Sequence, residues 1–177
     1  PGYAKGAYVA ENSPYRAFFD FRQEEWPYNP HYAGWWDHAT LPKLNYEGSE
    51  ELCNYILRVA KKWVSAPFCV DGWRLDVADE LPDGFLEAFR KRVKATNPQS
   101  IIIGEVWENA VEKVSYGARR KFLLGNQCDT VMNYPWLDAI VDLLKGGKTE
   151  TFYERVMELM EGYPQPALRC LMNILST

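Results

Sequence analysis

The sequence has no excess and no cluster of basic residues: 20 Lys and Arg stand against 24 Asp and Glu, a net charge of −4 over 177 residues. A phosphate-binding surface needs concentrated positive charge, so nucleic acid is excluded as a partner. No apolar run approaches the roughly 18 residues that cross a bilayer, which argues against a membrane partner. The sequence starts at Pro1 without Met and contains no charged-then-apolar leader, so no secretory signal is visible in it. That start reads as a piece of something longer. The four cysteines, Cys53, Cys69, Cys128 and Cys170, form no C-x-x-C pair. A zinc or redox site is therefore not expected; reduced, buried thiols in a cytoplasmic protein are. No D-x-D-x-D-G loop is present, so neither a metal-ligand set nor a calcium requirement is legible. Only two histidines occur, His31 and His38, and both read as loop packing or solvent contact. What remains is 47% hydrophobic and 25% charged, the composition of a folded domain rather than a disordered segment.

The chain divides near residue 46. Residues 1–46 carry twelve of the 26 aromatics, are interrupted by Pro14, Pro27, Pro30 and Pro42, and show no sustained period. So long an irregular stretch is usually functional. Its flat aromatic faces suit stacking against sugar rings, or against one another. From 47 to 177 the pattern is regular. Ser49 caps a helix with the stripe Leu52, Ile56, Val59 and Trp63, and Cys69–Val77 reads as a strand. Asp83 caps a helix with Phe85, Leu86, Phe89 and Val93 on one face. Ser100–Val106 reads as a strand buried on both sides. A weaker helix is expected over 110–124, then a strand Asp129–Tyr134. Helices follow over Trp136–Leu144 and from Thr149 through Met160, and a closing strand over Leu168–Leu175.

Alternating strands and helices imply an α/β class with a parallel sheet. Asp76, Glu105 and Tyr134 fall at the ends of successive strands, 29 residues apart each time. Polar residues at successive strand ends mark the catalytic face of a (β/α)8 barrel. The Gly-rich phosphate turn of an open doubly wound sheet is missing. A complete barrel takes about 250 residues, so the expected architecture is part of one, its edges prone to self-association.

The chemistry concentrates in two segments. Along VDGWRLDVADE (70–80), strand alternation puts Arg74 and Asp76 on one face and Trp73 and Leu75 on the other. An Arg two residues before a carboxylate can hold it ionised through a charge-assisted bond. GEVWEN (104–109) ends the next strand with Glu105. Neighbouring parallel strands lie about 4.8 Å apart, which allows two such carboxyls to approach a sugar-sized separation. A retaining glycosidase places its nucleophile and its acid/base at about 5–5.5 Å. The sequence leaves open a plainer alternative, a structural Asp–Arg pair beside an incidental Glu.

DGWRLDVADE and IIIGEVWENA resemble the fourth- and fifth-strand motifs of the alpha-amylase family of glycoside hydrolases. LPKLN (41–45) resembles the extra motif of its neopullulanase, cyclomaltodextrinase and maltogenic amylase branch, and GNQCDTVMNYP and LMNILST extend the likeness along the chain. The resemblance implies a barrel segment covering about strands four to seven and an α-glucan substrate. It implies Asp76 as nucleophile, Glu105 as general acid/base and Arg74 as the residue that orients and ionises Asp76. Glu80 would lie near the acceptor sugar and Trp107 beside the acid. Asn45, closing LPKLN, and Trp35 and Trp36, preceding it, would face the cleft. Asp79 stands where the family pattern carries Asn. The family's third-strand motif and its seventh-strand motif, which holds a third acid, fall outside these 177 residues, so the isolated chain is expected to be inactive.

Three other readings compete. Glycosyl transfer uses the same covalent intermediate with a sugar hydroxyl in place of water. A non-catalytic glucan-binding fragment would use the aromatic loop alone. A magnesium-dependent lyase would need a third carboxylate where the next strand offers Asn133 and Tyr134.

Overall fold

A computed structural model describes residues 5–176. The chain forms two compact units, Pro1–Val59 and Ala60–Thr177. The first is mostly irregular. Short 3-10 turns at Arg16–Phe18 and Trp35–Asp37 alternate with isolated bridges, Phe19 to Leu44, Phe21 to Tyr32 and Gly34 to Pro42. Its aromatics pack on one another: Phe21 lies 5.0 Å from Trp26 and 6.2 Å from Tyr32 between ring centroids. The Arg16 guanidinium sits 4.8 Å over Phe21 and 5.0 Å over Trp26 and pairs with Glu24 at 2.6 Å. Asn29, wholly buried, receives His31 N and donates to Gln23 O, satisfying backbone that no ladder serves. His31 pairs with Glu25 at 2.9 Å.

Helix α1 (Glu50–Val64) begins as the capping signal indicates, with Ser49 Oγ accepting Leu52 N at 3.2 Å. Its buried positions are Leu52, Leu57, Ala60 and Val64, whereas Trp63, expected on that stripe, is exposed and packs on Phe68 with centroids 4.6 Å apart. A period of 3.6 tolerates this rotation by one residue, and the burial of Ala60 shows which register wins.

In the second unit, β1 (Gly72–Leu75), β2 (Ile101–Gly104) and β5 (Thr130–Val131) form a parallel sheet in the order β1-β2-β5. The register pairs Leu75 with Gly104 and Gly104 with Val131. Helix α2 (Asp83–Thr96) connects β1 to β2 and buries Phe85, Leu86, Phe89 and Val93, the expected face. Trp73 meets Phe89 at 6.0 Å. Ile102 and Val131 are buried within the sheet. A Cβ on Gly104 would meet Cys128 Sγ at 3.1 Å, so the glycine keeps this crossing close. Helices α3 (Tyr134–Leu144) and α4 (Thr149–Gly162) pack together through Trp136 and Phe152. The Asn133 side chain caps α3 by accepting Trp136 N, with Pro135 in the first turn.

Three expectations are corrected. The stretch 110–124 is not helical: Val114–Ser115 (β3) and Ala118–Arg119 (β4) form a hairpin turning on Tyr116-Gly117. Both turn residues have positive φ, +52° and +77°, as two-residue hairpins require. The closing segment is not a strand either. It holds the short helix α5 (Gln165–Leu168) and a single parallel bridge from Met132 to Met172. The cysteines are free but not uniformly buried, for Cys69 and Cys170 are exposed. Among the described residues no helix is long and apolar enough to cross a membrane.

Candidate active site

Asp76 follows the last residue of β1 and Glu105 the last of β2, so the parallel register sets them side by side at the C-terminal edge of the sheet. Arg74 links them. Its Nη1 bonds Asp76 Oδ1 and its Nη2 bonds Glu105 Oε1 at 2.6 Å. One planar guanidinium grips both carboxylates, which confines their separation to the width of that fork plus two hydrogen bonds.

The two acids differ in setting. The Asp76 side chain is 63% exposed, that of Glu105 only 9%. Glu105 also receives Tyr134 Oη on Oε1 at 3.2 Å and Val77 N on Oε2 at 2.8 Å. Its backbone is tied on both sides: Glu105 N donates to Leu75 O at 2.9 Å, and Glu105 O accepts Ala78 N at 3.0 Å. Val77 reaches Oε2 only by adopting φ +38°, which a β-branched residue tolerates poorly. Strain of this kind persists where surrounding contacts over-determine it, typically in a site. Arg74 Nε additionally rests on Met132 Sδ at 3.4 Å.

Tyr134 joins the cluster from the start of α3. Burial, and then its bond to Glu105, push the phenol above its ordinary range, while a hydrogen bond from Trp107 works the other way. Trp107 is half exposed and, with Glu108, Asn109, Pro135, Asp138, Arg155 and Glu158, borders an open groove of about 520 Å³.

Glu80, in the 3-10 turn Ala78–Glu80 that follows Asp76, is buried and accepts Tyr116 Oη at 2.5 Å. Asp79 meets Lys113 at 3.1 Å, and Lys113 also holds Glu108 at 2.5 Å. Asp129 stands apart from this group. It takes Arg90 and Lys94 of α2 at 2.7 Å each and accepts Ile102 N at 2.9 Å, fastening α2 to the sheet.

Asp76, Glu105, Arg74, Trp107 and Glu80 therefore all belong to the second unit, on the segments that leave β1 and β2. Trp35, Trp36 and Asn45 belong to the first. Trp35 and Trp36 are ring neighbours at 6.1 Å, Trp36 at φ +50°, and Asn45 Oδ1 accepts Gly48 N at 2.8 Å in the turn before α1. Sequence reasoning places Tyr134 at a strand end without giving it a role, and misses Lys113, Tyr116 and Arg120 around Glu80 and Asp79. The 29-residue repeat points to Tyr134, and the Tyr-Gly pair between short polar-apolar runs is a hairpin signal for the rest.

The model of the alpha amylase catalytic domain matches residues 4–165. The cyclomaltodextrinase of Thermoanaerobacter pseudethanolicus is 33% identical over 177 aligned residues, 96% of this chain and 29% of that enzyme. Neopullulanase 2 of Thermoactinomyces vulgaris is 34% identical over 139 residues, 77% of the chain and 22% of that enzyme. Among solved structures, the cyclic α-maltosyl-(1→6)-maltose hydrolase of Arthrobacter globiformis superimposes with a TM-score of 0.81 at 27% identity, covering 93% of the chain and 36% of the hydrolase. The chain thus spans about a third or less of the length of these relatives, and its parallel βα units are those of a (β/α)8-barrel family. It belongs to the alpha-amylase catalytic-domain family of glycoside hydrolases, in the branch of the cyclomaltodextrinases and neopullulanases.

Proposed function

We propose that these residues form the central part of the barrel of a retaining α-glucan hydrolase, about strands four to seven, and carry two of its reacting groups. β1, β2, β5 and the Met172 bridge supply the four strand positions. Asp76 attacks the anomeric carbon while Glu105 gives its proton to the departing glycosidic oxygen. Glu105 then removes a proton from the incoming water, which releases the sugar from Asp76. Arg74 keeps Asp76 charged and aimed, and Tyr134 fixes the Glu105 carboxyl. The observation carrying this reading is the single Arg74 guanidinium that holds both acids at adjacent strand ends.

The substrate class is maltodextrin, cyclodextrin or pullulan, by likeness to the relatives' named activities. Trp107, half exposed beside Glu105 and at the mouth of a groove, also favours transfer to a sugar acceptor through the same intermediate. Trp35, Trp36 and Asn45 are assigned to sugar contact on the resemblance of LPKLN. No residue past β5 in the described chain offers a third acid at a strand end, so the longer enzyme is required for turnover.

Mechanism-based labelling tests the assignment. A 5-fluoro-α-glucosyl fluoride incubated with the complete enzyme should leave its sugar esterified to the peptide containing Asp76. Turnover with the label on a different carboxylate refutes the roles of Asp76 and Glu105.

A further inference from the structure

The segment that follows β5 lies on the far side of β2 from β1, yet it reaches back to both acids. Its backbone is tied on two edges. Met132 N donates to Gly104 O at 2.9 Å on one edge. On the other, Met172 N donates to Val131 O at 3.2 Å and Asn133 N donates to Met172 O at 2.9 Å. The root of the Met132 side chain is therefore fixed. Asn133 is committed to capping α3 and to Asn173. The residues on either side of it both enter the site: Tyr134 Oη donates to Glu105 Oε1 at 3.2 Å, and Met132 Sδ accepts Arg74 Nε at 3.4 Å.

The sulfur contact completes the restraint of Arg74. An arginine carries its N–H donors in one plane and has no acceptor of its own. Here Nη1 and Nη2 are committed to Asp76 and Glu105. Those two bonds hold the outer end of the guanidinium but leave its stem free to swing, and the swing tilts the plane in which both acids are gripped. The contact at Nε holds the inner end. A thioether is a weak and neutral acceptor, so it anchors the plane without adding a negative charge that would compete with the acids for the cation. Since β1 and β5 do not pair with each other, this contact does nothing for the ladder itself.

We propose that Met132 is a positioning residue for Arg74: its sulfur fixes the guanidinium plane and, through it, the aim of Asp76 at the anomeric carbon. This rests on the assignment of Asp76 as nucleophile. Met132 touches neither the sugar nor the reacting atoms; it acts through Arg74 alone. The end of β5 thus serves both acids, Tyr134 by bonding Glu105 directly and Met132 by steadying the cation that Asp76 and Glu105 share.

The test uses the complete enzyme and 5-fluoro-α-glucosyl fluoride, with the labelled protein followed by intact mass so that rate and final labelled fraction are read together. Met132→Leu conserves volume and removes the acceptor, a swap that cores tolerate. Met132→Gln has a similar length and restores a neutral acceptor. The Leu variant should label to the same final fraction as wild type, with the saturating rate lowered by about fivefold, the scale of one lost hydrogen bond, and the half-saturating concentration unchanged. The Gln variant should return to the wild-type rate. A merely structural defect lowers the fraction of molecules that label, not the rate of those that do. A wild-type rate in Met132→Leu, whatever its labelled fraction, or a Gln variant as slow as the Leu one, overturns the proposal while the catalytic assignment stands. A label on a carboxylate other than Asp76 in the wild-type enzyme overturns both.

Discussion

Replacing Glu105 by Gln removes one charge and no volume, and the structure dictates the consequences. Oε1 faces Arg74 Nη2 and Tyr134 Oη, and Oε2 faces Val77 N. All three are donors. A carboxylate can accept on both oxygens, but an amide has one acceptor and one NH2. With the amide oxygen toward Arg74, the NH2 abuts the Val77 N–H; turned over, it abuts the guanidinium. Tyr134 can rotate its hydroxyl to accept, but neither of the other two groups can. One donor is therefore stranded in either orientation, the Val77 N–H at about 1–3 kcal/mol or the more exposed Arg74 guanidinium at less, besides the lost charge-assisted bond. The chemistry suffers separately, since general acid–base catalysis is worth about 10²- to 10⁴-fold. Urea unfolding should show the midpoint lowered by that stability loss at unchanged slope. In the complete enzyme, turnover of maltotriose should fall by at least about a hundredfold. An aryl α-maltoside with a good leaving group, which needs little protonation, should still form the covalent intermediate, while maltotriose binding persists. Equal stability and equal turnover in Glu105→Gln would refute both the donor arrangement and the role; lost binding alongside lost turnover would refute the role.

Asp129→Asn should destabilise the protein by about 2 kcal/mol at neutral pH, because Arg90 and Lys94 then face each other across a partly buried gap. Although burial raises this carboxyl, bonds from Lys94, Arg90 and Ile102 N hold it below its ordinary 3.8. Its stabilisation is thus complete above that value and lost as pH falls through the lower folded value, so the urea midpoints of wild type and variant should converge under acid. The isolated 177-residue chain should give no measurable release of reducing sugar from maltoheptaose; turnover by it would show that no third acid is needed. The same chain should sediment as a concentration-dependent oligomer, since β1 is paired with β2 alone among the described strands; a stable monomer would contradict this.

The parts of this fold that are readable from sequence are those with a strong local signal. Four large apolar side chains at helical spacing place α2, and Ile101–Ile103 place β2. The strands are shorter than their apolar runs because pairing stops where the chain must turn into the site: Val77 leaves extended geometry to reach Glu105, and Asn133 to cap α3. The hairpin escapes a reading by periodicity because Val111, Val114 and Phe122 mimic a helical stripe, while the true determinant is the positive φ at Tyr116 and Gly117, a property of two residues. The closing segment looks like a strand because apolar content does not specify pairing. Met172 makes one bridge, and Asn173 spends its side chain on Asn133 at 2.8 Å. Spacing alone allows Asp76, Glu105 and Arg74 to be neighbours, but does not say that Arg74 serves both acids. That depends on the register Leu75 to Gly104, which no local pattern encodes.

The unequal treatment of the two acids has a physical logic. Glu105 is buried, bonded on both oxygens and tied through both backbone groups, whereas Asp76 is open to solvent and gripped by Arg74. A group that must first give a proton and then take one back at the same oxygen gains from being fixed, because proton transfer falls off steeply with distance and angle. A nucleophile that must form and then break a bond to carbon has to travel, and a rigid cage would resist that motion. A shared guanidinium reconciles the two needs. On the proposed roles, Asp76 would give up its charge to the sugar while Arg74 kept a charged partner in Glu105, which would by then have lost its proton to the leaving group. The cation would then be paired before and after the first proposed step, leaving no isolated charge in the site at either stage.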